Sequence, residues 1–292
     1  MLALQTGKNV LCEKALTVNA AQTKKLIAVA KEKGLFFMEA VWTRYFPLSI
    51  KIREMISDGE IGQVVRVVAD LSLPNGGEDG KLTFDNSHRM VNMDLAGGAL
   101  LDLGIYSLTW VFQCLYHTQK GDKEKPIVTA AINKYDETGA DEMTSMILQF
   151  PRSKAMGIAL TGLRAGYADG KGWAPTIAIT GTKGEIQVDG PAYRPTHYRV
   201  LKHAEPAKVE EVECKIPRDE ERGWGHGMFW EADEVARCLR DGKKESEAMS
   251  WEESLVVMQT MDEVRRQGGL KYPEEIESAE FDANSPLNLG RS

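Results

Sequence analysis

The chain has 292 residues, of which 42% are hydrophobic and 27% charged, enough to bury a full core in one large domain or two ordinary ones. Its formal net charge of -7 and pI of about 5.4 exclude the electrostatic footprint of a nucleic-acid or anionic-membrane binder, so a small molecule is the expected partner. With no apolar run of about 20 residues and no basic-then-apolar leader, a cytoplasmic protein away from membranes is expected. Cys12, Cys114, Cys214 and Cys238 never form a CxxC pair, and the five histidines show no HExxH or paired spacing. Neither a disulfide framework nor a bound metal is expected.

Lys8 to Cys12 is a short apolar run, which reads as a strand. Asn19, with Gln22 three residues later, has the spacing of a capping box. A helix should follow, with Leu26, Ile27 and Ala30 on one face and Gly34 as its left-handed stop. LFFMEA then supplies a second strand, and a strand, helix and strand in so short a space predict a βαβ unit with parallel strands. Pro47 opens another helix, with Leu48, Ile52, Met55 and Ile56 inward and Gly59 at its end.

From Ile61 the texture changes to β-branched or alternating runs, VVRVVADLSL, IVTAAINKY, MTSMILQF and AMGIALTGL, which predict a large, mostly antiparallel sheet. TIAITGTKGEIQVDG adds two strands, and Tyr193 to Ile216 two more. A long helix from about Gly98 to His117 interrupts them, apolar around nearly its whole circumference and therefore buried. Two amphipathic helices close the chain, one with Met228, Ala232, Val235 and Leu239 inward, the other capped by Ser250 with Glu253. The expected fold class is α/β plus α+β. Residues 1–60 read as a small α/β portion and residues 61–292 as a larger α+β portion.

Inside the apolar helix, Asp102 and Tyr106 stand four residues apart and so project from one face. Asp102 either satisfies a neighbouring backbone amide beside an ordinary core tyrosine, or the two face a cleft. Lys14 follows a strand directly, where ligands gather in α/β sheets, although position alone favours a solvated pair with Glu13, since surface lysines are common. A lysine, a carboxylate and a phenol around one cleft suit oxidation of an alcohol, because a base takes the hydroxyl proton while positive charge stabilises the developing alkoxide.

Four ordered segments sharpen this reading: residues 7–34 around LCEKA, EAVWTRYFP at residues 39–47, SDGEIG at residues 57–62 and AGGALLDLGIYSL at residues 96–108. They resemble the Glu-Lys-Pro segment, the following strand and loop, the domain junction and the Gly-Gly/Asp/Gly/His-or-Tyr motif of the glucose-fructose oxidoreductase and inositol dehydrogenase family. The branch most resembled is that of the fungal D-xylose dehydrogenases and dimeric dihydrodiol dehydrogenases. The resemblance implies that residues 1–60 are the later part of a dinucleotide-binding (Rossmann) domain and residues 61–292 a substrate-binding and dimerisation domain, with a homodimer through the large sheet and NADP as cofactor. It implies Lys14 as the catalytic lysine, Tyr106 as acid/base and Asp102 as the substrate-orienting carboxylate. Glu13, Lys14, Trp42 and Arg44 would lie beside the cofactor, and Arg89 would border the substrate.

Two departures carry expectations of their own. No GxGxxG turn occurs in the sequence, where the family begins with one, so about a hundred residues of the first domain are expected to be missing and NADP(H) binding to be weak or absent. Ala15 replaces the family's proline, which should loosen the loop that aims Lys14. The principal expectation is an NADP-dependent dehydrogenase of an aldose or cyclic diol. The alternatives are a cofactor-independent lyase or isomerase using the same proton-transfer groups, and a non-catalytic relative that keeps the dimerising sheet.

Overall fold

In the computed structural model, which describes residues 1–166, 175–205, 208–223 and 225–285, the predicted βαβ unit is present. After a short helix α1 (Leu2–Gln5), strands β1 (Val10–Glu13) and β2 (Phe37–Ala40) pair in parallel, flanking helix α2 (Ala20–Glu32) in sequence. The Asn19 side chain accepts the Gln22 amide at 3.0 Å, as a cap should. The Gln22 side chain reaches back to the Val18 amide, one residue before the one a reciprocal box would use. A 3-10 turn, Trp42–Tyr45, leads into helix α3 (Pro47–Ser57), which starts on its proline.

The large sheet has eight strands. In sequence they are β3 (Val64–Ser72), β4 (Ile127–Lys134), β5 (Asp141–Phe150), β6 (Ala155–Gly162), β7 (Ile177–Gly181), β8 (Gly184–Val188), β9 (His197–Lys202) and β10 (Val209–Glu213). Their spatial order is β10-β9-β8-β7-β3-β6-β5-β4, all antiparallel except the central pair β3 and β6. That parallel pair arises because the chain leaves β3 for a buried helix before it returns to the sheet edge at β4.

The buried helix packs on β3 and β6 but is not uniform, as its sequence suggests. Leu100–Gly104 is a wide π turn, and only Ile105–Leu115 (α4) is regular α-helix. Gly98 (φ +131°) begins it; a Cβ there would lie 1.9 Å from Asp141 Oδ1. Asp141, fully buried, accepts the Leu100 amide at 2.7 Å and the Thr144 hydroxyl at 2.9 Å, and so fixes where the turn starts. The segment Met93–Leu115 is long and apolar enough to span a membrane by length and composition, but 83% of its apolar window is buried within the fold.

Helices α5 (Phe229–Arg240), α6 (Trp251–Gly268) and α7 (Glu274–Glu277) end the described chain. Ser250 caps α6 by accepting the Glu253 amide, and α6 lies against both α2 and β4, bridging the small and large sheets. The inward face expected for α5 is wrong. Met228, Ala232 and Leu239 are exposed, and the buried stripe runs through Glu231, Glu234, Val235 and Cys238. The helix is rotated because Trp230 packs edge-on against Phe46 with ring centroids 4.8 Å apart and draws α5 onto the Trp42–Tyr45 turn, leaving Met228, Phe229 and Leu239 in solvent. All four cysteines are free; Cys114 and Cys238 are buried, Cys12 and Cys214 partly so.

Candidate active site

Lys14 stands at the end of β1, and its Nζ donates to the backbone carbonyl of Asp102 at 2.6 Å and to Asp102 Oδ1 at 3.0 Å. A helical carbonyl already serves its own ladder, but it has two lone pairs, and the wide pitch of the π turn gives a second donor room. Arg89 Nη1 lies 3.3 Å from the same Oδ1 and lines the same cleft. Burial works to raise the Asp102 pKa, but the charge and hydrogen bond of Lys14, joined by Arg89, outweigh it and hold the carboxyl below its ordinary range. Glu13 is exposed and does not pair with Lys14. The local-pair alternative is thereby replaced by a contact 88 residues away in sequence.

Tyr106 completes the group. Lys14 Nζ is 4.9 Å from its ring centroid, and its hydroxyl accepts the Trp42 indole N–H at 2.6 Å. Tyr193 faces both rings at 5.9 Å. Burial raises the Tyr106 pKa strongly, the Trp42 donor opposes it, and the carboxyls of Asp102, Glu13 and Glu231 add to the rise. Lys14, Asp102 and Arg89 line a cleft of about 350 Å³ with Thr17, Gln22 and Leu101, and Tyr106 stands behind the lysine against the aromatic wall.

Arg44 is the correction. It is 0% exposed, its Nε donates to the Ala248 carbonyl, and its Nη2 lies 2.6 Å from Glu253 Oε1. That approach is an ion pair whose angles fall outside hydrogen-bond geometry. Glu253 Oε2 meets His117 Nδ1 at 2.9 Å. In a turn of three residues per revolution, side chains two apart point to different sides. Trp42 therefore faces Tyr106, and Arg44 faces α6 in the core.

Sequence reasoning missed three groups. Tyr193 reaches the aromatic wall from the loop after β8, and Asp141 sets the start of the helix that carries Asp102. Glu231, 6% exposed, lies in the first turn of α5; burial and then the Glu13 charge push its pKa up to about 7. Only Asp141 left a trace in the sequence, as one of two acids, with Glu142, set directly before the alternating run MTSMILQF.

A cation, a carboxylate and a phenol gathered where a parallel strand ends can exchange a proton with an alcohol or carbonyl group and stabilise charge on its oxygen. Residues 49–187 match the model of the GFO/IDH/MocA C-terminal domain. The chain is 60% identical to the D-xylose 1-dehydrogenase (NADP(+)) of Hypocrea jecorina, covering 99% of this chain and 74% of that one. It is 34% identical to the trans-1,2-dihydrobenzene-1,2-diol dehydrogenase of Bos taurus, covering 94% and 75%. The chain belongs to the Gfo/Idh/MocA family of oxidoreductases.

Among solved structures, the fold matches an aldose-aldose oxidoreductase from Caulobacter crescentus with a TM-score of 0.71 at 21% identity, over 91% of this chain and 72% of that one. It also matches KijD10, a 3-ketoreductase from Actinomadura kijaniata in complex with NADP, with a TM-score of 0.70 at 21% identity, over 91% and 73%.

Proposed function

We propose that the protein is an NADP-dependent dehydrogenase that oxidises the CH–OH group of an aldose of the D-xylose kind or of a cyclic trans-diol. The convergence of Lys14, Asp102 and Tyr106 carries this reading, and the NADP-dependent xylose dehydrogenase at 60% identity supports its cofactor and substrate class. The site fits a nicotinamide: the strand end offers Lys14, the flat Trp42 ring stands beside Tyr106, and α5, packed on the turn that carries Trp42, buries a Glu231 Oε2 that has no hydrogen-bond partner. Glu13, Lys14 and Trp42 would hold that half of the cofactor, which when bound supplies the hydride acceptor.

The chain's own residues account for the proton. As the phenolate, the form that the Trp42 N–H stabilises, Tyr106 takes the substrate hydroxyl proton and becomes the neutral phenol, while the Lys14 ammonium stabilises the oxygen as it gains negative charge. Asp102 holds Lys14 in place by an ion pair and with Arg89 orients the neighbouring hydroxyls. In the reductive direction, a phenol whose pKa is raised by burial is protonated and ready to donate. Steady-state oxidation of D-xylose and of a dihydrodiol with NADP+ tests the reading, and turnover of neither would overturn it.

The protein is also proposed to form a homodimer through the open face of the large sheet. That face exposes Ile127, Met143, Ile147 and Met156 on its β4-β5-β6 half, while Glu185, Gln187 and Arg199 occupy the corresponding positions toward β8 and β9. An apolar half-sheet of this kind is a candidate for cover by a second copy.

A further inference from the structure

We propose that the groove between α3 and the end of α4 is a second ligand site, in which Arg53 holds the carboxylate of a small hydroxy acid. The choice of ligand rests on the dehydrogenase reading above, since oxidation of an aldose at C1 gives a lactone that water opens to such an acid.

The groove has a volume of about 420 Å³, within the range of small-molecule sites. It is separate from the catalytic cleft. Tyr106 lies in the first turn of α4 and the groove beyond its last, roughly 14 Å further along the axis.

Arg53 is the buried member of the lining, 9% exposed. Burial and then the Arg44 charge lower its pKa to about 10, which leaves it charged at neutral pH. Both N–H groups of Nη1 are used on neutral acceptors, the Arg44 carbonyl and the Gln113 side-chain oxygen, each at 2.9 Å. The guanidinium's other edge, Nε and Nη2, has no hydrogen-bond or ion-pair partner among the described residues, and neither atom is sealed off from the groove. A buried charge is ordinarily paired. That edge presents two parallel N–H donors, the geometry that fits a carboxylate.

The rim selects among anions. Lys120 is exposed there, but so are Glu54 and Asp58, and neither acid forms an ion pair among the described residues. The rim therefore adds no net positive charge, which favours a singly charged carboxylate over a phosphate dianion. The two carboxylates, with the hydroxyls of Ser57 and Thr118, accept hydrogen bonds from hydroxyl groups on the rest of the ligand.

The test is calorimetry of the full chain with D-xylonate, acetate and inorganic phosphate, with and without saturating D-xylose, for wild type, Arg53→Lys and Lys120→Glu. Wild type is expected to bind D-xylonate at least about tenfold more tightly than acetate or phosphate, and D-xylose to change that affinity by less than about twofold. Arg53→Lys keeps the charge but loses the fork, and should weaken D-xylonate binding roughly 10- to 100-fold. Lys120→Glu, at an exposed position, should weaken it roughly three- to tenfold at low salt. If Arg53→Lys fails to fold, Lys120→Glu carries the comparison alone. A wild type that binds no D-xylonate, displacement of D-xylonate by D-xylose, acetate or phosphate bound as tightly, or unchanged binding in the folded variants overturns the site and leaves the dehydrogenase reading standing. D-xylonate binding with the expected variant effects, in a chain that oxidises neither D-xylose nor a dihydrodiol, supports the site and overturns that reading.

Discussion

A phenol that accepts an indole N–H at 2.6 Å has its ionised form stabilised by that donor, and this makes Trp42 a tuning group for Tyr106. Tyr106→Phe is expected to lower kcat by roughly 10²- to 10⁴-fold, the usual worth of a positioned acid/base, with little change in KM. Trp42→Phe removes a donor to the phenolate, so the Tyr106 pKa rises further and the acid limb of the oxidation pH profile moves up by about one unit, near the worth of one hydrogen bond. A limb that stays in place would detach Trp42 from the proton step. Lys14, Asp102 and Tyr106 were legible because a strand end and an i,i+4 pair are periodic signals. Arg44 was misplaced because the 3-10 turn that separates it from Trp42 has no such period. Glu231 was hidden because a glutamate on an amphipathic helix reads as solvent face.

At the scale of elements, two local devices hold the site. Gly98→Ala would put a methyl group on the Asp141 carboxyl at a left-handed φ, so it is expected to cost more than about 2 kcal/mol and to reduce activity in whatever protein still folds, as urea unfolding and specific activity would show. The second device is the buried pair of Arg44 and Glu253. Glu253→Ala leaves a fully buried guanidinium without its counter-charge, a loss of roughly 3 to 5 kcal/mol. Burial alone would raise the Glu253 pKa, but Arg44 and then His117 bring it below its ordinary value. Its stabilising contribution is therefore complete above the unfolded-state pKa of about 4.3 and is lost as pH falls through the lower folded value. Wild-type urea midpoints should drop over that acid range, and the drop should be smaller in Glu253→Ala. The caps at Asn19 and Ser250 and the glycine stops were readable, since each follows from side-chain chemistry within a few residues. The π turn was not, because it is imposed by Asp141 and Lys14 from distant strands.

Over the whole molecule, the eight strands were legible as alternating runs, whereas the parallel pairing of β3 with β6 depends on which edge the chain reaches after the buried helix. The open face gives the expectation that concerns assembly. Sedimentation should show a dimer at micromolar concentration, and Ile147→Glu with Met156→Glu should yield monomer, because both side chains are 40% exposed on the apolar half of the sheet. A wild-type monomer would refute the dimer. The bridging position of α6 bears on biosynthesis. Arg44 bonds to Ala248, 204 residues downstream, and Trp251 donates its indole N–H to the Phe37 carbonyl. At a synthesis rate of about 5 to 20 residues per second, the Trp42 turn waits roughly 10 to 40 seconds on the ribosome for the groups that fix it. Through that interval the nascent chain carries β2 with its apolar residues uncovered, so it should be a client of cotranslational chaperones until α6 emerges.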